Sequence, residues 1–95
     1  QVYQRAVKAG AEDVGIMMKA ALLQIQQLGQ LPQAAKVLRD VLALAPEHAE
    51  AHYYLGYAYK DMGREADAKR ELSRFVELAP NSELVADVQN DLKNL

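Results

Sequence analysis

Hydrophobic residues recur every three or four positions along most of the chain, as Leu38, Val41 and Leu42 illustrate. This spacing places them on one face of an α-helix, and no alternating pattern typical of a β-strand extends beyond a few residues. The pattern is interrupted by helix-breaking residues at Gly10, Gly29, Pro32, Pro46, Gly63 and Pro80. It therefore predicts an all-α fold with helices near 1–9, 13–28, 32–44, 48–62, 65–78 and 82–94.

Three residues are suited to specific helix ends. Pro32 fits the first turn of a helix, where its missing N–H would have no intrahelical partner anyway. Gly63 fits a left-handed stop after Met62. Ser82 has the side chain of an N-cap, so we expect it to begin the last helix.

The sequence repeats itself with an offset of 34 residues. Between residues 15–48 and 49–82 the identical pairs are Gly29 and Gly63, Ala34 and Ala68, Leu38 and Leu72, Leu44 and Leu78, Ala45 and Ala79, and Pro46 and Pro80. Each unit consists of a helix, a tight turn at glycine, a second helix and a stop at proline. Such a unit is a helical hairpin that buries its apolar face by stacking on its neighbours.

These repeated residues resemble the tetratricopeptide repeat family. The second unit has the family's small and large residues at Leu55, Gly56, Tyr59, Ala68, Leu72 and Pro80. It departs from the family at His52, where Trp is favoured, and at Phe75, where a small residue is usual. The first unit matches more loosely, with Ala21 and Leu22 where the second has Leu55 and Gly56.

The resemblance implies a single all-α domain, a right-handed superhelical stack of antiparallel helical hairpins (an α-solenoid) with a C-terminal capping helix. Residues 1–14 would be the second helix of a truncated upstream repeat. The two repeats would be 15–48 and 49–82, and residues 83–95 would form the capping helix.

A close helix contact is expected within the second hairpin. Gly56 and Ala68 have almost no side chain, so the two helices can approach each other there. The larger side chains that would fill the space around this contact are Leu55, Tyr59, Leu72 and Phe75. A large residue at Gly56 is therefore expected to separate the pair.

The two ends of the chain differ in polarity. The last helix has one apolar stripe, formed by Leu84, Val85, Val88, Leu92 and Leu95, and an opposite polar face. We expect it to cover the open end of the stack and to be a true end. The first residue is Gln rather than Met, so we expect an excerpt of a larger protein. The helix at 1–9 would expose apolar residues unless an upstream unit or a second copy covers them.

The charge balance argues against two classes of partner. Eleven Lys and Arg oppose thirteen Asp and Glu, a net charge of −2, which provides no field to attract nucleic acid or an anionic membrane. The longest apolar run, 41–45, is far too short for membrane insertion. The absence of cysteine leaves the compartment open between cytoplasm and periplasm.

The chain has few residues suited to catalysis. It lacks Cys and Thr, and Ser73 and Ser82 are expected on a solvent face and at a helix cap. No glycine-rich phosphate loop occurs, so no enzyme activity and no cofactor are predicted. His48 and His52 stand four apart around Glu50, but no third ligand has suitable spacing. His48 is therefore expected in the turn that follows Pro46. The resemblance implies that His52 takes the place of an aromatic that packs against its own hairpin, and no metal is expected.

Tyrosine is concentrated in one helix, at Tyr53, Tyr54, Tyr57 and Tyr59, and these side chains cannot all face the same core. The resemblance implies that the first helix of each hairpin lines a concave groove. The matching positions are Ile16, Lys19, Leu23, Gln26, Glu50, Tyr53, Tyr57 and Lys60. Aromatic and apolar side chains give a large contact area at low entropic cost.

The expected function is a non-catalytic protein–protein interaction module that binds a peptide or protein segment in this groove. One family subtype holds a peptide carboxylate with Lys and Asn. Lys19 is at the Lys position, but Leu23 and Tyr57 replace Asn, so that clamp is not expected and apolar contacts would dominate. Two alternatives stay open: Tyr53 and Tyr57 could pack only against the last helix, or the N-terminal helix and groove could form a homodimer.

Overall fold

A computed structural model describes residues 11–27 and 29–95, and within this part the chain is entirely helices and short connections. The helices are α1 (Ala11–Gln26), α2 (Leu31–Leu44), α3 (Ala49–Asp61), α4 (Glu65–Leu78) and α5 (Val85–Lys93). The all-α prediction is confirmed. The predicted helix at 1–9 lies outside the described residues.

The connections follow the turn chemistry that the sequence indicates. Gly29 and Gly63 adopt φ of 93° and 82°, a left-handed conformation that residues with a Cβ rarely adopt. Pro32 lies in the first turn of α2, where no intrahelical bond needs its missing N–H. The predicted bounds of α4 are those observed, those of α2 differ by one residue at its start, and those of α3 differ by one residue at each end.

The start of the last helix differs from the prediction. Helix α5 begins at Val85, and the residue at its N-cap is Leu84. The Ser82 hydroxyl instead accepts a hydrogen bond from the Leu84 N–H at 3.1 Å, and the Ser82 carbonyl accepts one from the Val85 N–H. Ser82 therefore closes a turn before the helix, because its side chain bonds two residues ahead. The prediction that Ser82 is the N-cap was wrong.

Consecutive helices pack against each other from α1 to α5, and α1 also touches α3. The larger apolar cluster runs through α1 to α4, with Met17, Leu38 and Leu55 in its interior. A second cluster of Leu72, Phe75 and Val88 joins α4 to α5. This order of contacts is that of two antiparallel hairpins followed by a covering helix. The right-handed sense of the stack stays a prediction.

The close approach at Gly56 in the second hairpin involves Leu72 of α4. The three heavy atoms nearest to a Cβ built on Gly56 all belong to Leu72, with Cγ and Cδ2 at 2.6 Å. Ala68 is fully buried in the larger cluster that also contains Leu55 and Tyr59. Gly56 therefore makes room for Leu72, one helical turn after Ala68, and the expected approach of Gly56 to Ala68 stays a prediction.

Candidate functional site

Helix α1 presents an exposed stripe that includes two large apolar residues. Ile16 and Leu23 are 54% and 60% exposed, and Lys19 and Gln26 between and beyond them are also exposed. These four predicted site residues share one face because they are three or four positions apart. The helix buries its other side, including Met17, in the core.

Helix α3 carries the aromatic side chains of the predicted site. Tyr53 and Tyr57 are half-buried, and their ring centroids lie 5.0 Å apart in an edge-to-face arrangement. Tyr53 also contacts the ring of Phe75 at 5.1 Å, which holds it in place from α4. The Lys60 Nζ lies 5.6 Å from the Tyr57 ring centroid, and Glu50 is exposed at the start of the helix.

The last helix contacts one of the predicted site residues, although the prediction from the sequence includes no residue of this helix. The Tyr57 hydroxyl donates a hydrogen bond of 2.5 Å to the Asp91 carboxylate on α5. The two residues are 34 apart, so continuing the repeat offset one unit further would have indicated this pair. The same offset pairs Tyr53 with Asp87, which is exposed on the same helix.

Tyr53 and Tyr57 have pKa values above that of free tyrosine. Burial is the largest cause of the raised pKa of Tyr57, and the hydrogen bond to Asp91 and that carboxylate's charge add to it. Burial also raises the pKa of Tyr53, with smaller contributions from Tyr54, Asp87 and Asp91. Both hydroxyls are therefore neutral donors near neutral pH.

The sequence leaves open that Tyr53 and Tyr57 pack only against the last helix. Such packing is one part of their observed environment. Tyr53 and Tyr57 pack against the cluster that contains Val88 of α5. Neither is sealed by this contact, because both remain half-buried rather than buried. The rings are thus supported from behind by α4 and α5 and retain an accessible part.

Both histidines have structural roles. His48 caps α3, its Nδ1 accepting a hydrogen bond from the Ala51 N–H at 3.1 Å. His52 is only 9% exposed, and its Nδ1 lies 2.7 Å from Oε1 of the equally buried Glu71. Its Nε2 lies 2.9 Å from the Pro46 carbonyl, which can only accept, so Nε2 donates. The described residues hold no cluster of three or more potential metal ligands.

A cavity of about 420 Å³ lies beside this histidine, on the α4 side of the molecule. Its charged groups are paired with one another. Arg70 contacts Asp67 at 3.1 Å, and Arg74 contacts Glu77 at 3.0 Å. Such exposed pairs form a solvated helix face.

Comparison with known proteins supports the hairpin architecture. The sequence profile named Tetratricopeptide repeat matches residues 26–92. Outer envelope protein 61 of Arabidopsis thaliana is 39% identical over 54 residues, which is 57% of this chain and 10% of the plant protein. The chain thus spans about a tenth of the length of that relative. No solved structure matches significantly.

None of the helices in the described part is long and apolar enough to cross a bilayer.

The profile covers α2, the whole second hairpin and nearly all of α5, and the hairpins have the spacing and the glycine turns that the sequence resemblance implies. The chain therefore belongs to the tetratricopeptide repeat family, whose repeats are typically modules for protein–protein interaction.

Proposed function

We propose that this chain is a non-catalytic module that binds a peptide or protein segment on the groove surface formed by α1 and α3. The groove surface comprises Ile16, Lys19, Leu23, Gln26, Glu50, Tyr53, Tyr57 and Lys60. The observation that carries the proposal is the exposure of Ile16 and Leu23 on a helix that touches the one bearing the tyrosines. Large apolar side chains grouped near aromatic rings are typical of a contact surface.

The binding mechanism is preorganisation. Tyr53 is held by Phe75, and Tyr57 is held by its hydrogen bond to Asp91, so both rings are already ordered before a partner arrives. A segment that docks on them does not have to bear the entropic cost of ordering these side chains. Its apolar residues would cover Ile16 and Leu23 and remove them from water.

The experiment is selection of peptides from a displayed library of random linear sequences against the purified protein. We expect peptides rich in apolar residues, with binding abolished or strongly reduced by the double variant Ile16→Ser/Leu23→Ser. Leu44→Ser is the matched control, because Leu44 is an exposed leucine at the end of α2. Circular dichroism would verify that all variants keep their helicity.

Two results would overturn the proposal. One is a set of selected peptides that bind the double variant as tightly as the unmodified chain, which places their site elsewhere. The other is a concentration-dependent dimer, seen by light scattering, that the double variant abolishes. That result would assign the groove surface to self-association.

A further inference from the structure

The groove surface has an acidic edge on α5 that extends it beyond α1 and α3. Asp87 and Asp91 are four positions apart on α5, so they point in nearly the same direction. Asp91 accepts the hydrogen bond from Tyr57, which places this edge directly beside the aromatic rings. Both carboxylates also contribute to the raised pKa of Tyr53, after burial and Tyr54, as expected of charges near that ring.

These two carboxylates have no cation of their own in the part of the chain that the structure describes. The ion pairs found there all include a residue of α4, for example Asp67 with Arg64 at 2.6 Å. Asp87 is exposed, and Asp91 has only one oxygen engaged by Tyr57. A cation that lies near both an unpaired carboxylate and a tyrosine ring is attracted by the negative charge of the carboxylate and also by the ring.

The positive charges of the groove surface lie on α1 and α3. Lys19 is on α1, and Lys60 is at the end of α3 over the Tyr57 ring. The two carboxylates on α5 are acidic groups that complement a basic side chain of a partner, whereas the lysines complement an acidic one.

We propose that the segment bound on the groove surface carries a basic residue, Arg in preference to Lys, that inserts between the tyrosine rings and the Asp87–Asp91 edge. Apolar residues of the same segment would cover Ile16 and Leu23. Arginine is favoured because its planar guanidinium can stack on a ring while it donates to a carboxylate. The inference rests on the proposed function and names the chemistry of the partner at that site.

The test uses the peptides selected from the random library described above. We expect enrichment of Arg and Lys at a fixed distance from the apolar positions. Asp87→Asn should weaken their binding about three- to tenfold. Glu77→Gln removes the same charge from an exposed position on α4 and should leave the affinity unchanged. Peptides in which the basic residue is replaced by Gln should bind both Asp87→Asn and the unmodified chain equally weakly.

Salt dependence provides a readout that a merely structural role of Asp87 would not change. Raising the ionic strength from near zero to about 0.15 M should weaken binding to the unmodified chain more than binding to Asp87→Asn, because screening acts on the charge pair. Asp91→Asn should behave similarly, with a small loss of stability from the altered Tyr57 hydrogen bond.

Failure of this inference can be separated from failure of the proposed function. Selected peptides without basic enrichment, sensitive to Ile16→Ser/Leu23→Ser but not to Asp87→Asn, would overturn the basic segment and leave the groove surface in place. Acidic enrichment would also overturn it and would point to Lys19 and Lys60 instead. Peptides insensitive to all of these substitutions would overturn both.

Discussion

The two hairpins have the same architecture but are held together by different interactions. The first, α1 with α2, packs aliphatic and thioether side chains such as Met17, Met18 and Leu38. The second, α3 with α4, contains the buried His52–Glu71 contact and the close approach at Gly56. At the positions offset by 34, His52 corresponds to Met18, Glu71 to Val37 and Gly56 to Leu22.

The second hairpin is also linked to its neighbours on both sides. The Arg39 guanidinium on α2 donates to the Tyr59 hydroxyl at 3.2 Å, and His52 donates to the carbonyl of Pro46 between the hairpins. The Tyr57 hydroxyl reaches α5. Directional contacts restrict the relative position of helices more than aliphatic packing does. The helices of the second hairpin are therefore held in more precisely defined positions, whereas the first hairpin carries the exposed apolar surface.

The largest expected effect on stability comes from breaking the buried pair of His52 and Glu71. Glu71→Ala should lower the free energy of unfolding by about 2–4 kcal/mol, because it leaves a buried imidazole nitrogen without its partner. The double variant His52→Met/Glu71→Val copies the first hairpin and should recover most of this loss. Urea denaturation followed by circular dichroism measures both. A double variant as unstable as Glu71→Ala would show that the pair itself is required.

Placing the leucine of the first hairpin at the position of Gly56 should have the next largest effect on stability. Gly56→Leu should destabilise by about 1–3 kcal/mol through overpacking, because even a Cβ would lie 2.6 Å from Cγ of the fully buried Leu72. Gly15→Ala is the matched control. Gly15 has open space in the described structure, and the helix propensity of alanine should stabilise α1 by about 0.5–1 kcal/mol. Equal melting temperatures for the two variants would contradict the assigned contact.

The contact between α3 and α5 should make a smaller, pH-dependent contribution to the free energy of unfolding. Tyr57→Phe is expected to cost about 0.5–1.5 kcal/mol at neutral pH. Because the folded state raises the pKa of Tyr57 above its ordinary value of 10.0, its contribution is fully present below pH 10 and is lost as the pH rises further. Unfolding curves recorded between neutral pH and about pH 11 should therefore converge for Tyr57→Phe and the unmodified chain. Parallel curves would exclude the proposed linkage.

The smallest expected effect is a gain of stability in the first hairpin. The Gln24 Oε1 is buried without a hydrogen-bond partner among the described residues. Gln24→Met replaces it with an apolar group of similar length and should stabilise by up to about 1 kcal/mol. Gln33→Met, at an exposed position of α2, should leave the melting temperature nearly unchanged. A loss of stability in Gln24→Met would show that this oxygen has a partner.

The resemblance implies the eight groove residues, which the 34-residue offset pairs between the two units. The structure places Tyr53, Tyr57 and Lys60 in contact. The proposed part of Asp87 and Asp91 could not be predicted in this way, because the apolar stripe of the last helix indicates only a cover for the stack. Their role depends on α5 packing beside α3, and helix packing depends on side chains far apart in the chain.

Local chemistry was sufficient for the helices, their glycine turns and the hairpin unit, since spacing, propensity and turn preference act within a few residues. Only the tertiary structure decided that Gly56 accommodates Leu72 and that His52 meets Glu71. The Gly56–Leu72 and His52–Glu71 contacts join residues of different helices, so they depend on how far one helix is shifted and rotated against the next. A shift of one turn would leave the hydrophobic pattern satisfied but would change the neighbour of each residue.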